Sequence, residues 1–372
     1  FVSGSEPMKI AFRVDASVQI GTGHVMRCLT LANELRGRGH TCRFVCRDLP
    51  GHLGQMVADA GFDLTLLPAS KPGFQPDSDD PDHAIWAGVT WEVDAEQTLA
   101  AAHDVDWLVV DHYAFDARWQ DAARGPKAKF FVIDDLADRP HNADLLLDQN
   151  LGRSVSDYDG LVPLTCTRLI GPAYVLMRPE FAELREESLA RRKSAQLAHI
   201  LVTMGGMDND DVTSKVLTVI AKSDLPEVCE ITVVMGRNAP WLSKVRGAAT
   251  EMPRPTHVAV DVTQMASLML QSDLAIGAAG GTSWERCCLG LPSLHLVLAD
   301  NQASVAQTID DAQISVLLGD VRRDDWQIRL HDILERILDQ KSLECLGTGT
   351  FDLLDGLGCA RTAIELERDF MT

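Results

Sequence analysis

The turn at residues 21–24 constrains the fold of this 372-residue sequence more than any other feature. A short β-prone segment at residues 10–14 precedes it, and apolar residues recur at helical spacing afterwards. Gly21 and Gly23 therefore join a strand to a helix, and His24 lies at the helix N-terminus. Free N–H groups at such a position, with glycines that permit close approach, suit an anion such as a phosphate. The simpler interpretation is a tight turn that His24 caps.

A dinucleotide-binding fold is the obvious alternative for a glycine turn of this kind. Its fingerprint requires a third glycine where this chain has Met26. The acidic residue expected at the end of the next strand is also doubtful, because that strand ends in Arg47 before Asp48. The sequence therefore gives little support to a nicotinamide cofactor, and we expect none.

Strand-like and helix-like segments alternate along most of the chain, which predicts an α/β protein with doubly wound parallel sheets. In the first half the predicted strands after the opening one are 41–46, 63–67, 107–111, 129–134, 144–148 and 168–171. In the second half they are 199–203, 230–236, 256–262, 273–277, 294–298 and 314–319. The chain is longer than one hydrophobic core usually supports, so two Rossmann-like domains are expected.

We expect the domain boundaries to follow the change of pattern after residue 172. Residues 8–172 form a predicted N-terminal domain with the histidine turn, and the charged helical stretch within 173–196 is the predicted connector. Residues 197–372 form a predicted UDP-binding domain, whose terminal helical segment is a candidate to pack back on the N-terminal domain. Residues 1–7 resemble an expression remnant ahead of a natural Met8.

The charge of the chain limits its partners. Lysine and arginine number 34 against 54 acidic residues, a net charge of −20. This balance argues against nucleic acid or an anionic membrane surface as a partner. An anionic small ligand must then be held locally by glycine loops and helix N-termini.

The nine cysteines show neither C-x-x-C pairs nor the Cys/His spacing of a zinc site, so we expect reduced, buried thiols. No secretory signal and no run of 18 apolar residues is present. The cytoplasm is the expected compartment, and the acidic surface favours a monomer.

Two further glycine turns follow strands in the second half, where open α/β sheets place ligands. One is residues 204–208, Met-Gly-Gly-Met-Asp, and the other is residues 277–285. In the second turn, glycines can approach a diphosphate, Thr282 and Ser283 can donate hydrogen bonds, and Glu285 can accept from a ribose diol. Residues 283–285 also fit a simple capped helix start.

Seven segments, in order along nearly the whole chain, resemble the PseG family of UDP-sugar hydrolases. They are RVDASVQIGTGHVMRC (13–28), VVDHYAFD (109–116), VIDD (132–135), TMGGMD (203–208), GAAGGTSWERCCLGLP (277–292), ADNQ (299–302) and DGLGCAR (355–361). The long glycine-rich segment is more specific than any single G-x-G. The resemblance implies a GT-B architecture, in which two such domains face a cleft.

The resemblance also implies a reaction. The expected activity is metal-independent hydrolysis of UDP-2,4-diacetamido-2,4,6-trideoxy-β-L-altropyranose to UDP and the free sugar, in pseudaminic acid biosynthesis and so in flagellin glycosylation. By this comparison His24 is the general base that activates water for attack at the anomeric carbon. A histidine beside a bound diphosphate suits that role, since imidazole exchanges protons near neutral pH.

Other site residues are carried over from the same segments. Tyr113 and Asn301 match positions close to the reacting sugar, as orienting or water-positioning groups, although a buried aromatic and a helix cap are equally good interpretations. Uracil is expected near residues 258–260. The candidate substrate-binding residues are Gly21, Gly23, Arg27, His112, Gly205, Gly206, Gly280, Gly281, Thr282, Ser283, Glu285 and Gln302.

Several other patterns are weaker. Asp208 and Asp210 form a D-x-D sequence, but Asp208 follows a glycine turn and more simply caps a helix. Asp134 and Asp135 are adjacent carboxylates at a strand end, and their mutual repulsion could raise the pKa of one of them for acid–base chemistry. A solvated strand end is the favoured interpretation. The polar segment 71–83 is expected at the surface rather than in a site. Neither H-E-x-x-H nor G-x-S-x-G occurs.

Two other functions remain open. A GT-B glycosyltransferase would share the fold and the UDP loops but pass the sugar to an acceptor. No basic amphipathic segment for docking at a membrane-bound acceptor is evident, which favours the hydrolase. A non-catalytic nucleotide-sugar binding protein would keep the UDP loops without needing His24. The stereochemistry of the sugar follows from the resemblance alone.

Overall fold

The computed structural model describes residues 6–70, 73–194, 196–299, 302–323, 325–336, 343 and 354–370. These residues form two compact units. The first comprises the chain up to Met177 together with the part from Leu357 onwards, and the second comprises Arg178–Gly356. The stretch expected to be a connector is the helix Pro179–Arg192, which lies within the second unit.

The described part of the first unit contains a seven-stranded parallel sheet. Its strands are β1 Lys9–Val14, β2 Thr41–Arg47, β3 Asp63–Leu67, β4 Trp107–Asp111, β5 Lys129–Ile133, β6 Leu145–Asp148 and β7 Thr167–Ile170. Their order across the sheet is β3-β2-β1-β4-β5-β6-β7. Because such a sheet is covered on both faces, its strands consist of nearly continuous apolar residues.

Helices cover both faces of this sheet. They are α1 Gly23–Gly37, α2 Gly54–Asp59, α3 Trp91–Ala102 and α4 Ala117–Ala122, with 3₁₀ turns at Ala84–Ala87, Val155–Tyr158 and Pro172–Tyr174. On one face α1 buries Val25, Leu31 and Leu35 against Phe12. On the other face, Ala95 of α3 and Trp119 of α4 belong to a second apolar cluster.

The second unit repeats this architecture with six parallel strands. The strands are β8 His199–Thr203, β9 Glu230–Met235, β10 Thr256–Val260, β11 Leu274–Ala278, β12 Ser293–Val297 and β13 Val316–Asp320, in the order β10-β9-β8-β11-β12-β13. Its helices are α5 Pro179–Arg192, α6 Val212–Lys222, α7 Leu242–Thr250, α8 Met265–Gln271, α9 Thr282–Cys288, α10 Ala303–Asp311 and α11 Asp325–Leu334. The prediction of doubly wound parallel sheets is confirmed.

The final helix, α12 (Gly358–Phe370), belongs to the first unit. Cys359, Ala363 and Leu366 are buried in the same apolar cluster as the inner face of α1. A Cβ atom on Gly358 would lie 2.2 Å from the carbonyl oxygen of Val175, so only glycine permits this close approach.

Strand order reverses between β1 and β4 in the first sheet and between β8 and β11 in the second. At such a switch point the loops leaving two neighbouring strands run to opposite faces and open a crevice where α/β proteins bind ligands. The three glycine turns identified in the sequence follow three of these four strands, β1, β8 and β11. Among the described helices, none combines the length and apolar character needed to cross a membrane.

Candidate active site

His24 and Asp111 form a hydrogen-bonded pair at the carboxyl edge of the first sheet. His24 is the second residue of α1, the helix that follows β1, and Asp111 ends β4 opposite Val14. Nδ1 of His24 lies 2.6 Å from Oδ1 of Asp111. Because a carboxylate only accepts, Nδ1 carries the hydrogen, and in the neutral form of the ring Nε2 keeps a lone pair. The pair therefore has the arrangement of a general base held by an orienting carboxylate.

Arg27 joins this pair to a second carboxylate. Its Nε and Nη2 donate to the two oxygens of Asp111 at 2.6 and 2.7 Å, and its Nη1 lies 2.8 Å from Oδ2 of Asp135. The Tyr113 hydroxyl donates to the same Asp135 oxygen at 2.6 Å. The Tyr113 ring stands edge-on to the His24 ring, with 4.7 Å between centroids. The structure thus brings together three predicted site residues, His24, Arg27 and Tyr113.

The charge state of Asp111 follows from this arrangement. Burial by itself would raise the pKa of the carboxyl group, but the positive charges of Arg27 and His24 outweigh it and hold the pKa well below its ordinary value. Asp111 is thus a permanent anion that can stabilise a positive charge on the His24 ring. Burial and the neighbouring Asp135 raise the pKa of Tyr113 well above its ordinary value, so this hydroxyl stays protonated.

The N-terminus of α1 is open to a ligand. Thr22 precedes it without a side-chain cap, and its first turn contains no acidic residue. Gly21 has a φ of +82°, in the region that favours glycine. A Cβ atom on Gly21 or Gly23 would meet nothing within 4 Å. The interpretation of His24 as a cap is wrong, because its side chain points to Asp111 instead.

His112 does not join the other candidates. It is buried, its Nδ1 accepts a hydrogen bond from the backbone N–H of Ala114, and its Nε2 lies 3.3 Å from Oδ2 of Asp15. Burial lowers the pKa of His112. The expectation that this ring lines the site beside Tyr113 is wrong in this structure, since both nitrogens face protein groups.

Asp134 is also placed differently from the sequence expectation of a solvated strand end. It is fully buried, accepts a hydrogen bond from the Tyr158 hydroxyl at 2.9 Å and lies 3.0 Å from Nη1 of Arg139. Burial alone would raise its pKa, but the charge of Arg139 lowers it. Asp134 is thus a structural anion, and Asp135 is the member of the pair that faces Tyr113.

In the second unit, the turn 204–208 leads from β8 into α6. Gly205 has a φ of +83°. A Cβ atom on either Gly205 or Gly206 would meet nothing within 4 Å. The Asp208 carboxylate accepts hydrogen bonds from the backbone N–H groups of Val212 and Thr213, both at 2.9 Å. This confirms the helix-capping interpretation of Asp208.

The turn after β11 presents glycines and an uncapped helix start. No side chain caps α9, and a Cβ atom on Gly281 would meet nothing within 4 Å. Gln302 lies beside Gly280, since its Nε2 would be 3.8 Å from a Cβ there. The backbone of this turn therefore has open space at Gly281 and only the Gln302 side chain near Gly280. Asn301, the third predicted catalytic residue, lies outside the described residues.

Behind the same turn lies a buried cation. Arg286 is fully buried and donates to the Ala278 carbonyl at 2.7 Å and to Ser283 Oγ at 3.2 Å. Ser283 is thus an acceptor for Arg286 and not a helix cap. Burial lowers the pKa of Arg286 to about 10. A Cβ atom on Gly277 would lie 2.2 Å from Arg286 Nη1, so this glycine makes room for the guanidinium.

Glu285 points towards Arg178, whose Nη2 lies 3.3 Å from Oε1 of Glu285. Burial raises the pKa of Glu285, and Arg178 partly offsets that rise. The backbone near Val258 and Val260, where uracil was expected, belongs to β10 at the edge of the sheet. Both expectations about nucleoside recognition stay predictions.

The turn at residues 204–208 also depends on Gly236, which follows β9. A Cβ atom on Gly236 would lie 2.5 Å from the Gly206 carbonyl oxygen. We expect Gly236→Ala to lower the free energy of unfolding by about 1–3 kcal/mol, because the backbone must shift. Gly247→Ala, in the interior of α7 with open space, should instead raise it by about 0.5–1 kcal/mol. Urea unfolding of both variants measures this, and equal effects would contradict the packing argument.

Sequence reasoning missed three residues around His24, which are Asp111, His83 and Trp86, and it considered Asp135 only as half of a pair with Asp134 at a strand end. Asp111 carries a usable signal, since a single acidic residue ends the apolar strand Trp107–Asp111. His83 ends the polar segment 71–83, and its ring centroid lies 5.5 Å from that of Tyr113. The prediction that this segment lies away from the site is wrong at His83.

Comparison with solved structures defines the class of protein. The chain superimposes on the MurG of Acinetobacter baumannii with a TM-score of 0.70 and 12% identity, covering 97% of this chain and all of that one. It superimposes on a UDP-glucosyltransferase from Polygonum tinctorium with a TM-score of 0.66 and 13% identity, covering 99% of this chain and all of that one. These neighbours share the fold, so the chain is an α/β protein of GT-B type.

Sequence comparison points to a narrower group of proteins than the fold does. Over 300 residues the chain is 26% identical to the UDP-2,4-diacetamido-2,4,6-trideoxy-β-L-altropyranose hydrolase of Campylobacter jejuni, covering 80% of this chain and 95% of that protein. It is 30% identical over 202 residues to the spore coat polysaccharide biosynthesis protein SpsG of Bacillus subtilis, covering 53% and 57%. No protein-family model matches the chain. The resemblance to the PseG hydrolases is confirmed.

Proposed function

We propose that this protein hydrolyses UDP-2,4-diacetamido-2,4,6-trideoxy-β-L-altropyranose to UDP and the free sugar without a metal ion. The observation that carries the proposal is the His24–Asp111 pair, a base whose Nε2 meets no hydrogen-bond partner among the described residues, beside an uncapped helix N-terminus. The similarity to a hydrolase of this substrate over 95% of that enzyme's length supports the choice of sugar.

The first unit supplies the chemistry in this proposal. Nε2 of His24 removes a proton from water as the water oxygen attacks the anomeric carbon. The bond between that carbon and the diphosphate oxygen breaks, and its electron pair leaves with UDP. Asp111 stabilises the resulting imidazolium, and Arg27 holds Asp111 in place through two hydrogen bonds.

Tyr113 and Arg27 define the remaining surface of this site. Since the Tyr113 hydroxyl donates to Asp135, its oxygen can still accept a hydrogen bond from a sugar or from water. Arg27 is engaged by two carboxylates, so we assign it to positioning His24 through Asp111. Asn301 is kept as a candidate water-positioning residue from the family resemblance.

The second unit binds UDP in this proposal. Gly205, Gly206, Gly280, Gly281 and Thr282 offer open backbone at two neighbouring strand ends, and Gln302 lies beside Gly280. Backbone N–H groups aimed at a diphosphate stabilise the negative charge that grows on it as the sugar leaves. The buried charge of Arg286 adds to this stabilisation from behind the turn. Glu285 is the candidate acceptor for the ribose.

A glycosyltransferase that uses a UDP-sugar donor is the second candidate. The solved structures with the same fold include a UDP-glucosyltransferase, and the fold suits either reaction. The two proposals differ in their acceptor, which is water in the first and a second hydroxyl compound in the second. A non-catalytic sugar-nucleotide binding protein would release no UDP at all.

The decisive experiment follows UDP release from the diacetamido sugar nucleotide in buffer with EDTA and no added acceptor. We expect multiple turnovers, at a rate that the chelator leaves unchanged, because the proposed base and the backbone donors are protein groups. In H₂¹⁸O the released UDP should remain unlabelled, since the bond to carbon breaks. Label in UDP would place the attack at phosphorus, and release only with an acceptor would favour the transferase.

The cellular location and the oligomeric form of the protein are also proposals. The eight cysteines within the described residues are all free, buried thiols, which is typical of a reducing compartment. We therefore keep the cytoplasm as the proposed location and the monomer as the proposed form.

A further inference from the structure

Two aromatic residues near His24 come from a part of the chain outside every motif of the family resemblance. The segment between β3 and α3 carries His83 and, in the 3₁₀ turn Ala84–Ala87, Trp86. The resemblance therefore assigns nothing to these residues. Their position against the catalytic candidates indicates a role in the same site.

The Trp86 ring stacks on Tyr113, with 5.6 Å between centroids and an interplanar angle of 30°. It also stands edge-on to His24 at 6.5 Å. The His83 ring meets Trp86 at 4.6 Å and Tyr113 at 5.5 Å, both edge-on. We call the two rings of His83 and Trp86 the aromatic wall, since they extend the surface of Tyr113 beside His24.

The backbone around the aromatic wall is fixed. Ala87 is buried in the apolar cluster under α3 and α4. Gly88 follows with a φ of +69°, and a Cβ atom there would lie 2.4 Å from the Cβ of Ser70. Arg118 holds the preceding loop through Asp79 and Asp80, each at 3.2 Å. Trp86 is thus held at its place by packing on both sides.

The aromatic wall is half-buried and presents little charge. Burial lowers the pKa of His83 despite the nearby Asp138 and Asp82, with Arg139 and His24 acting in the same direction as burial. Within the described part of the chain, neither the Trp86 indole N–H nor the His83 ring makes a hydrogen bond to a protein group. Aromatic faces with free N–H donors at their edges suit a ligand that carries methyl groups beside a carbonyl oxygen.

We propose that His83 and Trp86 form a sugar-binding subsite that selects N-acetylated 6-deoxy sugars over fully hydroxylated ones. This inference rests on the proposed function and assigns the specificity of its sugar site. The acetamido and deoxy methyl groups pack on the two rings, and the indole N–H donates to an acetamido carbonyl. A hydroxyl group placed against the ring faces, where a methyl group would pack, loses water without gaining a hydrogen-bond partner, and a buried unpaired hydroxyl is disfavoured.

The first test is kinetic. Trp86→Ala should lower kcat/KM for the UDP-diacetamido sugar by roughly 10–100-fold, mostly through KM, with the Kd for UDP alone unchanged. Trp91→Ala is the matched control, since this tryptophan starts α3 and packs against Arg118 instead of Tyr113. Unchanged kcat/KM in Trp86→Ala, or an equal loss in the control, overturns the inference.

The second test does not depend on turnover. The seven tryptophans give separate indole N–H signals in a ¹⁵N-labelled sample, and the signal missing in Trp86→Phe identifies that residue. Free 2,4-diacetamido-2,4,6-trideoxyaltrose should shift this signal, whereas glucose at equal concentration should not. A shift without UDP release would retain the subsite and reject the hydrolase. Release without a shift would retain the hydrolase and reject the subsite.

Discussion

His24→Ala is expected to lower kcat for UDP release by roughly 10²–10⁴-fold, with UDP affinity unchanged. The magnitude is the usual contribution of a general base. Asp111 holds the ring at 2.6 Å through Nδ1, and Nε2 has no partner in the part of the chain that the structure describes. UDP affinity should survive because the glycine turns proposed to bind UDP belong to the second unit. Steady-state UDP release and calorimetric titration with UDP measure the two quantities.

Added imidazole gives a more specific test of the role of His24 as a base. A missing base can be replaced by free imidazole, so the rate of His24→Ala should rise with imidazole concentration, whereas the wild-type rate should not. His103→Ala is the matched control, because His103 is exposed and precedes the opposite end of β4. A variant that keeps more than about a tenth of the wild-type rate would exclude His24 as the base.

Asp111→Asn should lower kcat by a similar factor, roughly 10²–10⁴-fold, with KM little changed. The side-chain amide keeps the shape but can hold the other tautomer of His24, in which Nε2 carries the hydrogen and cannot take a proton. Arg27 also loses one of its two carboxylate partners, Asp111 and Asp135. Steady-state kinetics measures the loss of His24 orientation as a lower kcat, and thermal unfolding measures any loss of stability of the folded protein.

Asp134→Asn is the control for Asp111→Asn. Asp134 is an equally buried carboxylate next to the neighbouring strand β5, paired with Arg139 and Tyr158. It makes no described contact with His24, so its replacement should lower stability while kcat changes little. A comparable fall of kcat in both variants would mean that buried charge, and not the orientation of His24, controls the rate.

Periodicity predicted nearly all of the sheet architecture. The predicted bounds of three strands, 63–67, 107–111 and 199–203, match the observed ones to the residue, and the other predicted ends differ by at most two residues. Apolar runs between glycine turns are a strong signal because both faces of each sheet are buried. His24 was found for the same reason, since the turn that carries it lies between two periodic segments.

Contacts between distant parts of the chain could not be predicted in this way. Asp111 meets His24 because β4 lies beside β1, and spacing along the sequence does not specify that order. Trp86 reaches Tyr113 through a loop whose path depends on Ser70 and on the positive φ of Gly88, and neither has a periodic signature. His112 shows the converse error, because neighbours along a chain can point to opposite sides.

The packing of α12 on α1 makes the first unit discontinuous in the chain. Glu367 lies near Arg38 and His40, and Leu366 is fully buried. During synthesis, therefore, the whole of the second unit leaves the ribosome before the segment that completes the core beneath α1. The second unit, which we propose binds UDP, can fold first, and α1 gains its last packing partner only when residues 358–370 arrive.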